Sequence, residues 1–278
     1  MSIRLRDALM AQLGELRHEP IDKRIRATLG DATVIDSTRA LLVWEPKRVV
    51  PTYAVPTEDV AGEVAPADGT AEHPGDGAAA RDLQLDGRPV WDPSIPFSVR
   101  ITEGEAMTIR AAGGQRGAAA FKPSDPELEG YVIVDFDAFD SLYEEDELNL
   151  GHPRDPFHRI DIVHSSRHVR VERDGEVLAD SSAACLLFES PLPVRYYLPR
   201  EDVRMGLLRP SEKRSFCAYK GEASYFSVTG VKDVAWSYLE PLREAAEVTG
   251  RIAFLNEETD IAVDGKARER PVTPWSRR

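Results

Sequence analysis

The chain has 278 residues, of which 42% are hydrophobic and 30% charged, and its formal net charge is −13. That length favours two domains over one core, and the composition is that of a soluble globular chain rather than a disordered one. The negative field argues against nucleic acid as a partner, and no apolar run approaches the roughly 20 residues that cross a bilayer.

The start, MSIRLRDALMAQL, puts Leu5, Leu9 and Leu13 at helical spacing with charges between them. This predicts a short amphipathic N-terminal helix, not a signal peptide, and a cytoplasmic protein. From Arg26 the chain reads RATLGDATVIDSTRALLVWE, and from Tyr53 it reads YAVPTEDV. An Ala, Gly, Pro and Asp-rich stretch over about residues 61–96 then reads as a flexible insert. The acidic run from Asp137 to Asp146 carries a helix signal. It opens a charged connector, residues 137–166, in and just beyond which lie His152, Asp155, His158, Asp161, His164 and His168.

The second half of the chain repeats the first. RVERDGEVLADSSAACLLFE from Arg170 aligns without a gap on the stretch from Arg26, matching Arg26 with Arg170, Asp36 with Asp180, Ser37 with Ser181, Leu42 with Leu186 and Glu45 with Glu189. One residue later, YYLPREDV from Tyr196 falls on YAVPTEDV. FSV at Phe97 answers FSV at Phe226, and AAFKPSDPELEGYVIV resembles AWSYLEPLREAAEVTGRIAF, where a second helical turn falls near Pro241 to Ala246. Matches in one order across both halves establish an internal duplication.

The local patterns are those of strands. Asp174-Gly175 between apolar residues marks a hairpin, and Ala184 to Phe188 is apolar on both faces, as in a strand near a core. The expected fold is mainly β: two tandem copies of a small antiparallel module. The first, residues 1–136, is degenerate, and the second, residues 167–265, is intact and is followed by a tail, residues 266–278. Chemistry is expected in the second copy.

Cys185 and Cys217 are the only cysteines, and neither belongs to a CxxC pair, so no disulfide framework or thiolate zinc site is expected. Cys185, inside an apolar strand, reads as structural. Cys217, in CAYKG, reads as a nucleophile with Lys220 as the cation that activates it in a turn ended by Gly221, or else as a small buried filler. Arg195 and Tyr197 with Asp180, Ser181 and Glu189 offer a guanidinium, a hydroxyl and acids to one small polar ligand, on which Tyr225 and Trp236 would stack. Their alternative is a strand core of tyrosines and ion pairs. The connector histidines fit no HExxH helix and read as a charged seam joining the modules, with metal binding the alternative. A small-molecule site in the second module is the leading functional expectation, and a non-catalytic protein-interaction module the other. No cofactor is identified.

SSRHVRV from Ser165, ADS at Ala179, RYYLPREDV from Arg195, CAYKGEASY from Cys217, WSY at Trp236 and GRIAF at Gly250 together resemble the family called domain of unknown function 427, which also carries a nucleotidyltransferase-like label. The connector from Glu144 to Val171 resembles the segment joining two such modules in long bacterial members. The resemblance implies a compact antiparallel module similar to the zinc-binding β-tent folds, here without their paired cysteines. It implies no reaction, and the sequence has no phosphate-cradling GxxxxGK[ST] loop.

Overall fold

The structure, a computed structural model, describes residues 2–68, 82–85, 87–273 and 275–276. The chain divides into one unit of residues 1–83 with 87–155 and a second of residues 84–86 with 156–278. No described helix is long and apolar enough to cross a membrane.

In the first unit, α1 (Leu5–Met10) is the short helix expected, but Leu5 and Leu9 face solvent and Met10 and Leu13 are the buried residues. The strands are β1 (Arg17–Pro20), β2 (Ile25–Leu29), β3 (Ala32–Ser37), β4 (Leu41–Trp44), β5 (Thr52–Pro56), β6 (Glu63–Pro66), β9 (Gly104–Ala111), β10 (Gly114–Pro123), β11 (Tyr131–Val134), β12 (Ser141–Glu144) and β13 (Glu147–Leu148). A further hairpin, β7 (Asp82–Leu85) with β8 (Arg88–Trp91), falls in the insert. A seven-stranded sheet runs β1-β4-β5-β11-β10-β9-β6, and a four-stranded sheet runs β13-β12-β2-β3. Of the segment expected to be flexible, β6 lies at the edge of the large sheet, while residues 69–81 and 86 lie outside the described residues.

The second unit has β14 (Ile160–Ser165), β15 (Val169–Arg173), β16 (Glu176–Ser181), β17 (Ala184–Glu189), β18 (Arg195–Leu198), β19 (Arg209–Cys217), β20 (Gly221–Val228), β21 (Val231–Tyr238), β22 (Ile252–Phe254), β23 (Asp260–Val263) and β24 (Lys266–Ala267). Its sheets run β14-β17-β18-β22-β21-β20-β19 and β16-β15-β23-β24. With β7 and β8 set aside, the two orders are the same strand for strand. Even the irregularities recur: Ala118 and Asp233 both take a left-handed φ at a bulge, and Glu145 and Asp264 both take one in the turn closing the small sheet.

The register corrects parts of the sequence reading. Val134, Ala120 and Met107 pair across the first large sheet as Phe254, Ala235 and Phe226 do across the second, so Met107 and not Phe97 is the partner of Phe226. The FSV match is a coincidence of three residues, and Phe97 lies in a loop against Phe136. Residues 137–146 form no α-helix. A short 3₁₀ turn, Phe136–Ala138, leads into β12, because Leu142 is needed in the core of the small sheet. The connector is likewise divided, with β12 and β13 completing the first small sheet and β14 edging the second large sheet.

Each unit is two layers deep, and the alternation of strand side chains explains the packing. In the second unit Val169, Val171, Leu178, Ile261 and Val263 of the small sheet meet Leu186, Leu198, Phe226, Ala235 and Phe254 of the large one. The large sheet's other face carries Cys185, Leu187, Tyr197, Ala223, Trp236, Tyr238 and Ala253, covered in part by Ala245 and Val248 of a 3₁₀ segment, Arg243–Val248. β17 is apolar on both sides because both its faces are covered. The Asp174-Gly175 hairpin forms as expected, both residues having positive φ.

Candidate functional site

The outer face of the second large sheet gathers most of the residues singled out from sequence. Reading along one row of paired residues, His164, Cys185, Tyr197, Ala253, Trp236 and Tyr225 follow one another across six strands. The same row in the first unit is Pro20, Leu41, Ala54, Ile133, Phe121 and Ala106. The scaffold is duplicated, but the hydroxyls, thiol and imidazole of this row belong to the second copy alone.

Next to the row, a buried ion pair closes the end of β17. Lys220 Nζ donates to Glu189 Oε1 at 2.5 Å, and His158 Nε2 meets the same oxygen at 3.1 Å while its ring stacks on Tyr219. Burial would raise the Glu189 carboxyl, but the Lys220 ammonium and the His158 contact hold it down to about 2. Burial would likewise lower Lys220, and the Glu189 carboxylate overrides it and raises the ammonium above its ordinary value. Lys220 thus stays charged; its hydrogen bond goes to Glu189, and Cys217 lies near enough to interact with the same ammonium.

The first unit has a counterpart. Glu45, which aligns with Glu189, accepts from Arg100 Nη1 at 2.9 Å, and both are buried. An ion pair present in both copies is part of the scaffold. Tyr197 and Tyr225, standing where the first copy has Ala54 and Ala106, are not.

The hydroxyls around the pair are neutral donors. Burial pushes Tyr197 up to about 12 and moves Tyr238 well above the ordinary range; it also raises Tyr225. Tyr197 Oη accepts from Trp236 Nε1 at 3.0 Å, leaving its own proton to give. Tyr225 Oη bonds Ser215 Oγ at 2.7 Å, with Lys213 over its ring. Tyr238 is only 5% exposed, and its hydroxyl has no hydrogen-bond partner among the described residues. Its ring lies 6.4 Å from that of Tyr197. Cys217, partly exposed, lies close to Lys220, Tyr225 and Tyr238.

Gly221 is required where it stands. Its φ is +88°, and a Cβ there would meet Leu242 N at 3.3 Å and Glu240 O at 3.4 Å, in a turn pinned by Leu242 N donating to Lys220 O. Gly221→Ala is expected to cost about 1–2 kcal/mol, read as a lower urea midpoint.

Other expected site residues are placed elsewhere or already engaged. Arg195 is on this face but is locked in a buried two-bond pair with Glu257, at 2.7 and 2.8 Å, beneath Trp275; Thr273 of the tail also bonds Glu257. Asp180 and Ser181 belong to the small sheet. Asp180 bonds His168 and Arg170, and Ser181 bonds Asp202, just as Asp36 bonds Arg24 and Ser37 bonds Asp59 in the first unit. Of the connector histidines, His158, His164 and His168 pair with Glu189, Glu247 and Asp180 within the second unit, and His152 Nδ1 lies 2.7 Å from the Pro153 carbonyl. Asp161 pairs with Arg159, and Asp155 stands near Arg17 in the first unit. Among the described residues no three His, Cys, Asp or Glu are grouped to hold a metal ion.

Sequence reasoning missed Tyr238, although its spacing of two from Trp236 already put it on the same strand face. It also missed Glu257 and the partnership of His164 with Cys185, which only the strand pairing brings together.

These features define a duplicated two-layer antiparallel β protein with a polar face in its second unit. Residues 161–265, nearly the whole of that unit's sheets, match the model of the family described as Domain of unknown function (DUF427). No curated protein matches the chain.

Proposed function

We propose that the second unit binds a small, oxygen-rich molecule on the outer face of its large sheet, with Tyr238 and Tyr197 as hydrogen-bond donors and Tyr225, Trp236 and Cys217 as neighbours. The observation that carries this reading is the Tyr238 hydroxyl beside the Lys220–Glu189 pair: its side chain is only 5% exposed, yet the oxygen is unpartnered among the described residues and within reach of solvent. A hydroxyl held on a packed ring, with no internal partner and open to solvent, has its donor available to an occupant that supplies an acceptor in place of water. The ion pair cancels its own charge, and the tyrosines stay neutral at physiological pH. Such a surface suits acceptor oxygens of a sugar, ester or carboxylate more than a bare cation. Lys220 ties the Cys217–Gly221 turn to Glu189, and Cys217 lines the site with the same ammonium close by.

The test is a thermal-shift screen of the full chain against a panel of simple sugars, carboxylates and phosphate esters, repeated with Tyr238→Phe. A binder present at about 100 times its Kd contributes nearly 3 kcal/mol, which a thermal shift of several degrees reports. Tyr238→Phe is expected to weaken that binder about tenfold while leaving the unliganded Tm within about 1 °C, because no internal hydrogen bond is lost. Equal affinity in the variant, or a panel without any binder, would overturn the assignment.

A further inference from the structure

At the edge of the same sheet, one row end carries a second grouping that does not depend on the ligand site. Cys185 Sγ lies 3.3 Å from His164 Nδ1, and His164 Nε2 lies 3.2 Å from Glu247 Oε2. The elements hold the three in line: β14 pairs His164 directly with Cys185, and Ala245 and Val248 anchor the 3₁₀ segment that carries Glu247. A carboxylate on Nε2 fixes the tautomer with the proton there and leaves the Nδ1 lone pair facing the sulfur. This is the order nucleophile, base, orienting acid that an assisted thiol requires.

We infer that Cys185 is a reactive thiol served by His164 as base, and that its co-reactant is a small hydroperoxide. β17 is hydrogen-bonded on both edges, to β14 and β18, so its backbone N–H groups are spent on the sheet and none is left to hold an oxyanion. That argues against acyl transfer. Peroxide cleavage needs only a proton removed and a proton returned. The sulfur attacks the distal oxygen, the S–O bond forms as the O–O bond breaks, and the thiol proton passes to His164 Nδ1 and from there to the leaving alkoxide. The sum is thiol plus hydroperoxide giving sulfenic acid plus alcohol.

Cys185 itself is fully buried, and burial raises its thiol, so at rest it is protonated and the proton must leave during attack. Its cover on the solvent side includes the His164 side chain, itself 68% exposed, whose rotation is a fast surface motion. The charged and titratable groups facing the thiol are His164 from β14, Tyr197 from β18, Glu247 from the 3₁₀ segment, and Arg251, whose charge favours the thiolate. In the first unit the paired residues are Pro20 and Leu41, so the grouping is not a requirement of the fold.

The full chain carrying Cys217→Ser would be treated with hydrogen peroxide, and sulfenic acid trapped with dimedone and located by mass spectrometry. Labelling of Cys185 in the folded protein is expected, slowed about tenfold or more at pH 7 by His164→Gln, which keeps the cover but removes the base. Glu247→Gln should slow it less. A Cys185 that stays unlabelled while folded, or labels equally fast in His164→Gln, overturns the inference, and either result leaves the Tyr238 ligand test untouched.

Discussion

Lys220→Met is expected to destabilise the second unit by about 3–5 kcal/mol, the range for a buried charge stripped of its partner. Glu189 would remain at the end of β17 with only His158 against the oxygen that Lys220 now holds at 2.5 Å. Lys220→Met with Glu189→Leu, which removes both charges at similar volume, should recover most of the loss. Acid gives a second view of the same pair. Glu189 is depressed from 4.5 to about 2 in the folded chain, so its contribution is complete above the unfolded value and lost as pH falls from 4.5 through 2. A shift of that size corresponds to about 3 kcal/mol at neutral pH. Lys220 is raised, so its share is complete below 10.5 and lost only as pH rises past the folded value. The pair therefore stabilises throughout the interval from 4.5 to 10.5. Urea unfolding followed by hydrogen exchange over residues 209–238 reads these effects locally. Unchanged exchange in Lys220→Met would mean that the pair holds nothing together.

The duplication was legible because its signals are local. The Arg26/Arg170 and Asp36/Asp180 matches are cross-strand partners within one hairpin, and the register pairs them in both units. FSV misled because three residues carry no register, and Phe97 has no strand neighbours to fix one. For the site, strand alternation was enough to place Arg195 and Tyr197 on one face. It could not find that Lys220 reaches Glu189, 31 residues away, or that Arg195 reaches Glu257, 62 away. Asp180 and Ser181 were expected beside Glu189 because the chain is continuous there. However, the turn at residues 182 and 183 carries it from the small sheet to the large one, and the two groups part. The neighbour of Cys185 was hidden for a similar reason: an apolar run in sequence gives no sign of a residue that arrives from another strand, His164.

The first unit offers the sharper test of the shared buried carboxylate, because there it serves two cations. Glu45 Oε2 lies 2.9 Å from Arg100 and 3.7 Å from Arg48, and its other oxygen accepts weakly from Ile101 N and Thr102 N at 3.4 Å. Arg48 also donates to the carbonyls of Ile95, Pro96 and Val99 and lies over Trp91 and Phe97, and burial lowers it to about 10. Glu45→Leu would leave two buried guanidiniums with Asp135 as the remaining carboxylate close to both. The expected cost is at least about 3–5 kcal/mol, above that of Lys220→Met if the second cation matters. Removing Arg100 as well should restore less than the corresponding double change in the second unit, since Arg48 stays buried without Glu45, its largest carboxylate partner, and keeps only Asp135 and Asp137 nearby. Glu45→Gln, which keeps an acceptor for the two amides, isolates the charge from the hydrogen bonds. Hydrogen exchange over residues 41–56 in urea distinguishes the cases: if Glu45→Leu, alone or with Arg100→Leu, opens this segment no more easily than wild type, the carboxylate is not what holds the two arginines in the core.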